Sequence, residues 1–158
     1  MELIPSVNGL WQRDGYSVST DAARLDLDVI HGYLSEQSYW ARKIPRETLQ
    51  RGLTHSLNFG LYHDASGTQI GFARLITDYA TFAYVSDVFV LDAHRGHGLS
   101  KWLMEIVVGH PEVQGLRRWL LATLDAHGLY TQYGFKPLTE PSRFLERHFP
   151  EIYASNPT

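Results

Sequence analysis

The stretch "DVFVLDAHRGHGLSKWLMEIV", residues 87–107, changes character in its middle. It opens as a strand, passes through a loop rich in Gly and His, and continues as a helix with an apolar stripe. Leu99, Trp102, Leu103, Ile106 and Val107 recur at the spacing that puts them on one helical face. A helix N-terminus leaves backbone N–H groups unpaired and carries partial positive charge. Gly96 and Gly98 let the backbone approach a ligand closely, and Arg95 and Lys101 add a cation at either edge. The joint is therefore either a plain strand-to-helix turn or a seat for a phosphate.

Outward from this joint the chain reads as a sheet with helices. Upstream, "TFAYVSDVFV" (81–90) is a strand, expected to put Phe82, Tyr84, Val88 and Val90 on one face and Ala83, Val85 and Phe89 on the other. A strand that is apolar on both faces belongs in the middle of a sheet. "NFGLYHD" (58–64) and "QIGFARLI" (69–76) form a hairpin about "ASGT". A helix follows Pro45 with Leu49, Leu53 and Leu57 on its buried side. An earlier one carries Leu27, Ile30 and Leu34 behind a cap at Thr20 or Asp21. "YSVST" (16–20) is a strand. Downstream, "RRWLLAT" (117–123) is a buried strand and "DAHGLYTQ" (125–132) a short helix. After Arg143 a terminal strand is expected. An antiparallel meander leading into one parallel crossover gives a mixed α/β sheet. Ligands of such sheets bind beyond the carboxyl ends of the parallel strands, where residues 95–101 lie.

Bulk properties narrow the function. The chain has 158 residues, suited to one domain over 1–158, with 44% hydrophobic residues and a formal net charge of −3. That charge lacks the basic footprint of a nucleic-acid binder. There is no cysteine, so disulfides, thiolate metal sites and a cysteine-linked acyl-enzyme are excluded. "MELIPSVNGLWQRDG" has no charged segment followed by an apolar run, so no leader is read, and no membrane-length apolar run occurs. A cytoplasmic protein is expected. His94 and His97 have the spacing of metal ligands but no supporting acid, so no metal is expected.

The glycine loop fits neither of the commonest phosphate motifs. A dinucleotide fingerprint needs a small residue where Lys101 stands, and a P-loop needs a Gly-Lys pair that is absent. What remains is Arg95-Gly96-His97-Gly98-Leu99-Ser100, of the form Arg-x-x-Gly-x-small. Together with Leu129, Tyr130, Gly134 and Phe135, which supply a Leu-Tyr-x-x-x-Gly-Phe run, this resembles the GNAT superfamily of acetyl-CoA-dependent N-acetyltransferases. The resemblance spans about residues 16–138. It departs at Ser100, where the family has Gly or Ala, and at "TLDAH", where an Asn is usual.

The resemblance implies a splayed central sheet flanked by helices, with acetyl-CoA as cosubstrate. Its diphosphate would lie on the amides of Arg95, Gly96, His97, Gly98, Leu99, Ser100 and Lys101. Its pantetheine arm would pair like an added strand with Val88, Phe89 and Val90. Tyr130 is implied as the acid that protonates the departing thiolate. The usual base positions align with Tyr84 and Ser86, so Asp87 is the nearby carboxylate, either catalytic or paired with Arg74 on the next strand. Trp40, Arg42 and Tyr39 lie in the loop that covers the acceptor site in this family, and Tyr79 precedes the central strand. Trp40, Arg42, Tyr79, Tyr84 and Ser86 are thus the expected acceptor contacts. The expected activity is acetylation of a small primary amine by direct attack in a ternary complex. A non-catalytic acyl-CoA-binding module and a protein N-acetyltransferase are the competing readings. A homodimer using the tail after Arg143 stays open.

Overall fold

The computed structural model describes residues 7–154; the first residues read above for a leader lie outside them. In chain order the main elements are β1 (Leu10–Arg13), β2 (Tyr16–Ser19), α1 (Leu27–Gly32), α2 (Arg46–Thr54), β3 (Leu57–His63), β4 (Thr68–Thr77) and β5 (Phe82–Val90). Then come α3 (Leu99–Gly109), β6 (Arg118–Leu120) and α4 (His127–Tyr130). The six strands form one sheet in the order β1-β2-β3-β4-β5-β6. Every neighbouring pair is antiparallel except β5 and β6, which are parallel and joined through α3. The mixed sheet expected from the sequence is therefore present.

Both faces of the sheet are covered. On one, Phe59, Leu61, Ala83, Val85 and Val90 pack against Leu99, Trp102, Leu103, Met104, Ile106 and Val107 of α3. On the other, Phe72 and Phe89 pack against Ile30 and Leu34 from the α1 region and Leu49 of α2. The turn into β5 is fixed by Asp78, whose carboxylate accepts from the N–H groups of Ala80, Thr81 and Phe82 and from the Thr81 hydroxyl. Those four donors hold its pKa far below the usual carboxylate range.

Local differences from the sequence reading have simple causes. β1 has too little alternation to be recognised; it exists because β2 offers it an edge. Asp26, not Thr20 or Asp21, caps α1, accepting from the N–H groups of Asp28 and Val29. Pro45 is the residue before α2, and Leu57 opens β3 rather than closing the helix. β6 is only three residues long and half-exposed, because it pairs on one side alone. The expected terminal strand is absent: the described residues after Gly134 form only short turns, at Pro141–Arg143 and at residues 150–154.

Two features open the sheet. β5 and β6 pair only through Phe82–Arg118, Ala83–Trp119 and Tyr84–Leu120, while β5 runs on to Val90. Past that point the strands separate, and among the described residues no strand lies beside the β6-side edge of β5. Within β5, Arg74 pairs with Ser86 and Phe72 with Phe89, leaving Asp87 and Val88 opposite one residue. This bulge puts Asp87 at φ +55. It also corrects the expected face pattern. Val88 joins Ala83, Val85 and Val90 on the α3 side, while Asp87 turns toward the α1–α2 side.

Candidate active site

The glycine joint has the form of an anion seat. Gly96 and Gly98 hold φ of +87 and +70, which L side chains resist. Gly98 is the residue before the first turn of α3, and no side chain caps that helix. Its first-turn N–H groups, from Leu99, Ser100 and Lys101, thus lack the acceptor a cap would supply. Of the flanking cations, Arg95 braces the loop: Nε donates to the Val90 carbonyl (3.1 Å), and Nη1 pairs with Asp92 (2.7 Å). No ion pair engages Lys101 among the described residues, and its carbonyl accepts from the Tyr133 hydroxyl (2.8 Å).

Sequence reasoning missed a third cation here. Arg13 of β1 donates to the Gly98 carbonyl (3.4 Å) and lies over the Trp102 ring at 4.9 Å. Nothing in the sequence links it to the loop, because the link runs through the sheet. His97 and His94 also have an unforeseen setting. Both contact the Tyr16 ring, and the Tyr16 hydroxyl bonds His94 Nδ1 (3.0 Å). Among the described residues no three His, Asp or Glu side chains converge as metal ligands.

Asp87 lies at the centre of a polar network beneath the bulge. Its Oδ2 accepts from Arg74 Nε (2.7 Å) and its Oδ1 from the Trp40 indole (2.8 Å). Arg74 also donates to the hydroxyls of Ser56 (3.2 Å) and Ser86 (3.3 Å). The structure therefore brings Asp87, Ser86 and Trp40 together, with Asp87 only 7% exposed. Removing one partner of a buried ion pair strands the other charge. Asp87→Asn is expected to cost about 3 kcal/mol and to lower Tm by about 6–12 °C in thermal unfolding. An unchanged Tm with lost turnover would instead make Asp87 the base.

Of the expected acceptor contacts, Arg42, Tyr79 and Tyr84 lie apart from this network. Trp40 is 41% exposed, with Tyr33 and Tyr39 rings beside it. Arg42 is exposed, with no ion pair among the described residues. Tyr84 lies at the base of the opening, opposite Leu120 of β6. Tyr79, at φ +61, sits in the turn before β5, where burial and the charge of Glu112 raise its pKa. No contact joins Tyr79 to Trp40 or Asp87 among the described residues.

Tyr130 ends α4, is 9% exposed, and packs its ring edge-on against Phe135 at 6.1 Å. Burial, reinforced by Tyr39 and Asp125, pushes its phenol up to about 12. A phenol so placed stays protonated through the neutral range and has a proton to give. Tyr84, Tyr130 and the residues from Leu120 to Thr123 line an open cavity of about 1250 Å³, whose far wall is the chain from Lys136 to Glu146.

Comparison with known proteins agrees with this geometry. The profile of the Acetyltransferase (GNAT) family matches residues 27–135. A crystal structure from Xanthomonas campestris pv. campestris, provisionally assigned as a GNAT-family acetyltransferase, is 51% identical. It superposes with a TM-score of 0.87 over 91% of this chain and 100% of its own. A Gibberella zeae protein, provisionally named an acetyltransferase, is 37% identical over 140 residues, spanning 76% of this chain and 78% of its own. The fold is shared, at 19% identity and a TM-score of 0.62, by an N-acetylglutamate synthase from Neisseria gonorrhoeae solved with coenzyme A and N-acetyl-glutamate. That match covers 82% of this chain and 30% of the synthase. This chain belongs to the GNAT family and is an acetyltransferase.

Proposed function

We propose that the chain, acting as one N-acetyltransferase domain, moves the acetyl group of acetyl-CoA to a primary amine of a small molecule by direct attack in a ternary complex. The observation that carries this reading is the uncapped, glycine-lined N-terminus of α3 at the end of a strand whose β6-side edge is open, with the protonated phenol of Tyr130 in the same apolar cluster as α3 and β5. The loop from Arg95 to Lys101 offers amides to a diphosphate, with Arg13 and Lys101 supplying positive charge. The β5 edge at Val88, Phe89 and Val90 offers backbone groups to the amide-bearing arm. A backbone N–H near Val88 or Phe89 would meet the thioester oxygen as charge builds there.

The neutral amine attacks the thioester carbon. A C–N bond forms, the C–S bond breaks, Tyr130 gives its proton to the departing thiolate, and the amine proton passes to water. With no cysteine in the chain, a thiol-linked acyl-enzyme is excluded. Both oxygens of Asp87 are taken, so we read it as a positioning residue that holds Trp40 over the acceptor side, not as the base. Arg42, exposed and with no ion pair among the described residues, is suited to an acidic group on the acceptor. Leu145, Phe149 and Ile152 are 97%, 58% and 65% exposed, which suits a second copy of the chain as the partner of the tail.

The test is thiol release from acetyl-CoA by purified protein against amino acids, polyamines, aminoglycosides and arylalkylamines. Release that needs one amine class supports the reading. Coenzyme binding without release by any amine favours the binding-module alternative, and release only with peptides favours the protein-directed one.

A further inference from the structure

Tyr39 and Trp40 are neighbours in sequence and bonded to opposite arms of the open sheet. The Trp40 indole donates to Asp87 on β5 at 2.8 Å. The Tyr39 hydroxyl accepts from the Leu124 N–H, beyond β6, at 2.9 Å. The two rings meet edge to face at 5.0 Å. A dipeptide from the segment between α1 and α2 therefore spans the opening.

The Leu124 N–H explains why a phenol is needed. Once β6 leaves β5 after Leu120, the chain beyond it has no strand partner for its peptide groups. An oxygen must come from elsewhere, and Tyr39 supplies it. Leu124 leads through Asp125 and Ala126 into α4, so the bond also holds the approach to Tyr130. Tyr39 is 50% exposed and the Leu124 side chain points away with 74% exposure, so this contact adds little to the core. Its position is between β5, reached through Trp40, and the segment after β6. Accepting from Leu124 leaves the Tyr39 hydroxyl its own proton, free to face the cleft.

We propose that Tyr39 is a positioning residue, a clasp that sets the spacing of the two sheet arms over the thioester and keeps water from it. The proposal rests on the acetyl-transfer reading above. A loosened clasp leaves the diphosphate seat intact but lets the arms drift, so attack geometry suffers and water competes with the amine.

The test compares wild-type protein with Tyr39→Phe, Leu124→Pro and the double variant. Phenylalanine keeps the ring and removes the acceptor; proline removes the donor on an exposed residue. Each single change is expected to lower kcat for transfer by about ten-fold. Each should also raise amine-independent acetyl-CoA hydrolysis several-fold, with KM for acetyl-CoA unchanged. The double variant should be no worse than either single one, because both remove one bond. Should Leu124→Pro fail to fold, hydrogen exchange reads the same bond: the Leu124 amide must exchange faster in Tyr39→Phe. Tyr39→Phe with wild-type transfer and hydrolysis, losses that multiply in the double variant, or an unchanged Leu124 amide would each overturn the clasp. If the wild type itself releases no thiol with any amine, the function reading fails. The exchange experiment still decides whether the clasp holds the arms together.

Discussion

Gly98→Trp is expected to abolish coenzyme A binding while leaving a folded protein. The position holds φ +70 and ψ 19, a left-handed conformation that costs an L side chain about 1–2 kcal/mol. A Cβ placed there meets nothing closer than Arg13 Nη2 at 3.9 Å, so no buried atom is displaced. The added indole is expected to fill the space at the α3 N-terminus, where we propose that the diphosphate binds. Calorimetry with acetyl-CoA should lose its heat signal, an affinity loss of at least about a hundred-fold. Thermal unfolding should show a Tm only about 2–8 °C lower. Gly98→Ala, with the same backbone strain and little bulk, should fall between the two. Normal acetyl-CoA affinity in the Trp variant would remove the loop from the cosubstrate site.

Tyr130→Phe is expected to lower kcat by about 10²–10⁴ with little change in KM for acetyl-CoA. The ring contact with Phe135 survives the change, so what is lost is the proton. The deficit should shrink with acetyl thioesters of more acidic thiols, which leave without protonation. The pH profile gives an independent check. A rising limb comes from deprotonation of the acceptor amine. The falling limb comes from loss of the phenolic proton, and a phenol raised to about 12 delays that limb to strongly alkaline pH. The raised value thus extends activity upward in pH. A Phe variant should keep the rising limb and lack the falling one. Full turnover by the Phe variant would end the assignment of Tyr130 as the acid.

Much of the candidate site was legible because it is local. The glycine loop, its strand and its helix are continuous in sequence, and the uncapped α3 terminus follows from Gly98 alone. Tyr130 was legible through its neighbours Leu129, Gly134 and Phe135. The pairing of Asp87 with Arg74 followed from placing them on adjacent strands. What was missed is contributed from a distance. Arg13 meets Gly98 only because β1 extends the sheet, and a four-residue edge strand has too weak a pattern to be noticed. Tyr39 stood in the right segment, but its partner is a backbone N–H, which no side-chain pattern marks.

Local chemistry in the sequence determined the strands β2 to β6, the antiparallel meander β3-β4-β5, the single parallel crossover and the glycine joint proposed to seat a phosphate. Apolar periodicity and glycine spacing are properties of consecutive residues. Tertiary structure alone decided that Asp87 also holds Trp40. An insertion of one residue in β5 relative to β4 turns that carboxylate onto Arg74 and Trp40, and bulge position depends on pairing between strands. It also decided how far the sheet opens. The point at which β6 leaves β5 is set by competing contacts across the whole molecule, and that point exposes both the β5 edge and the Leu124 amide that Tyr39 holds.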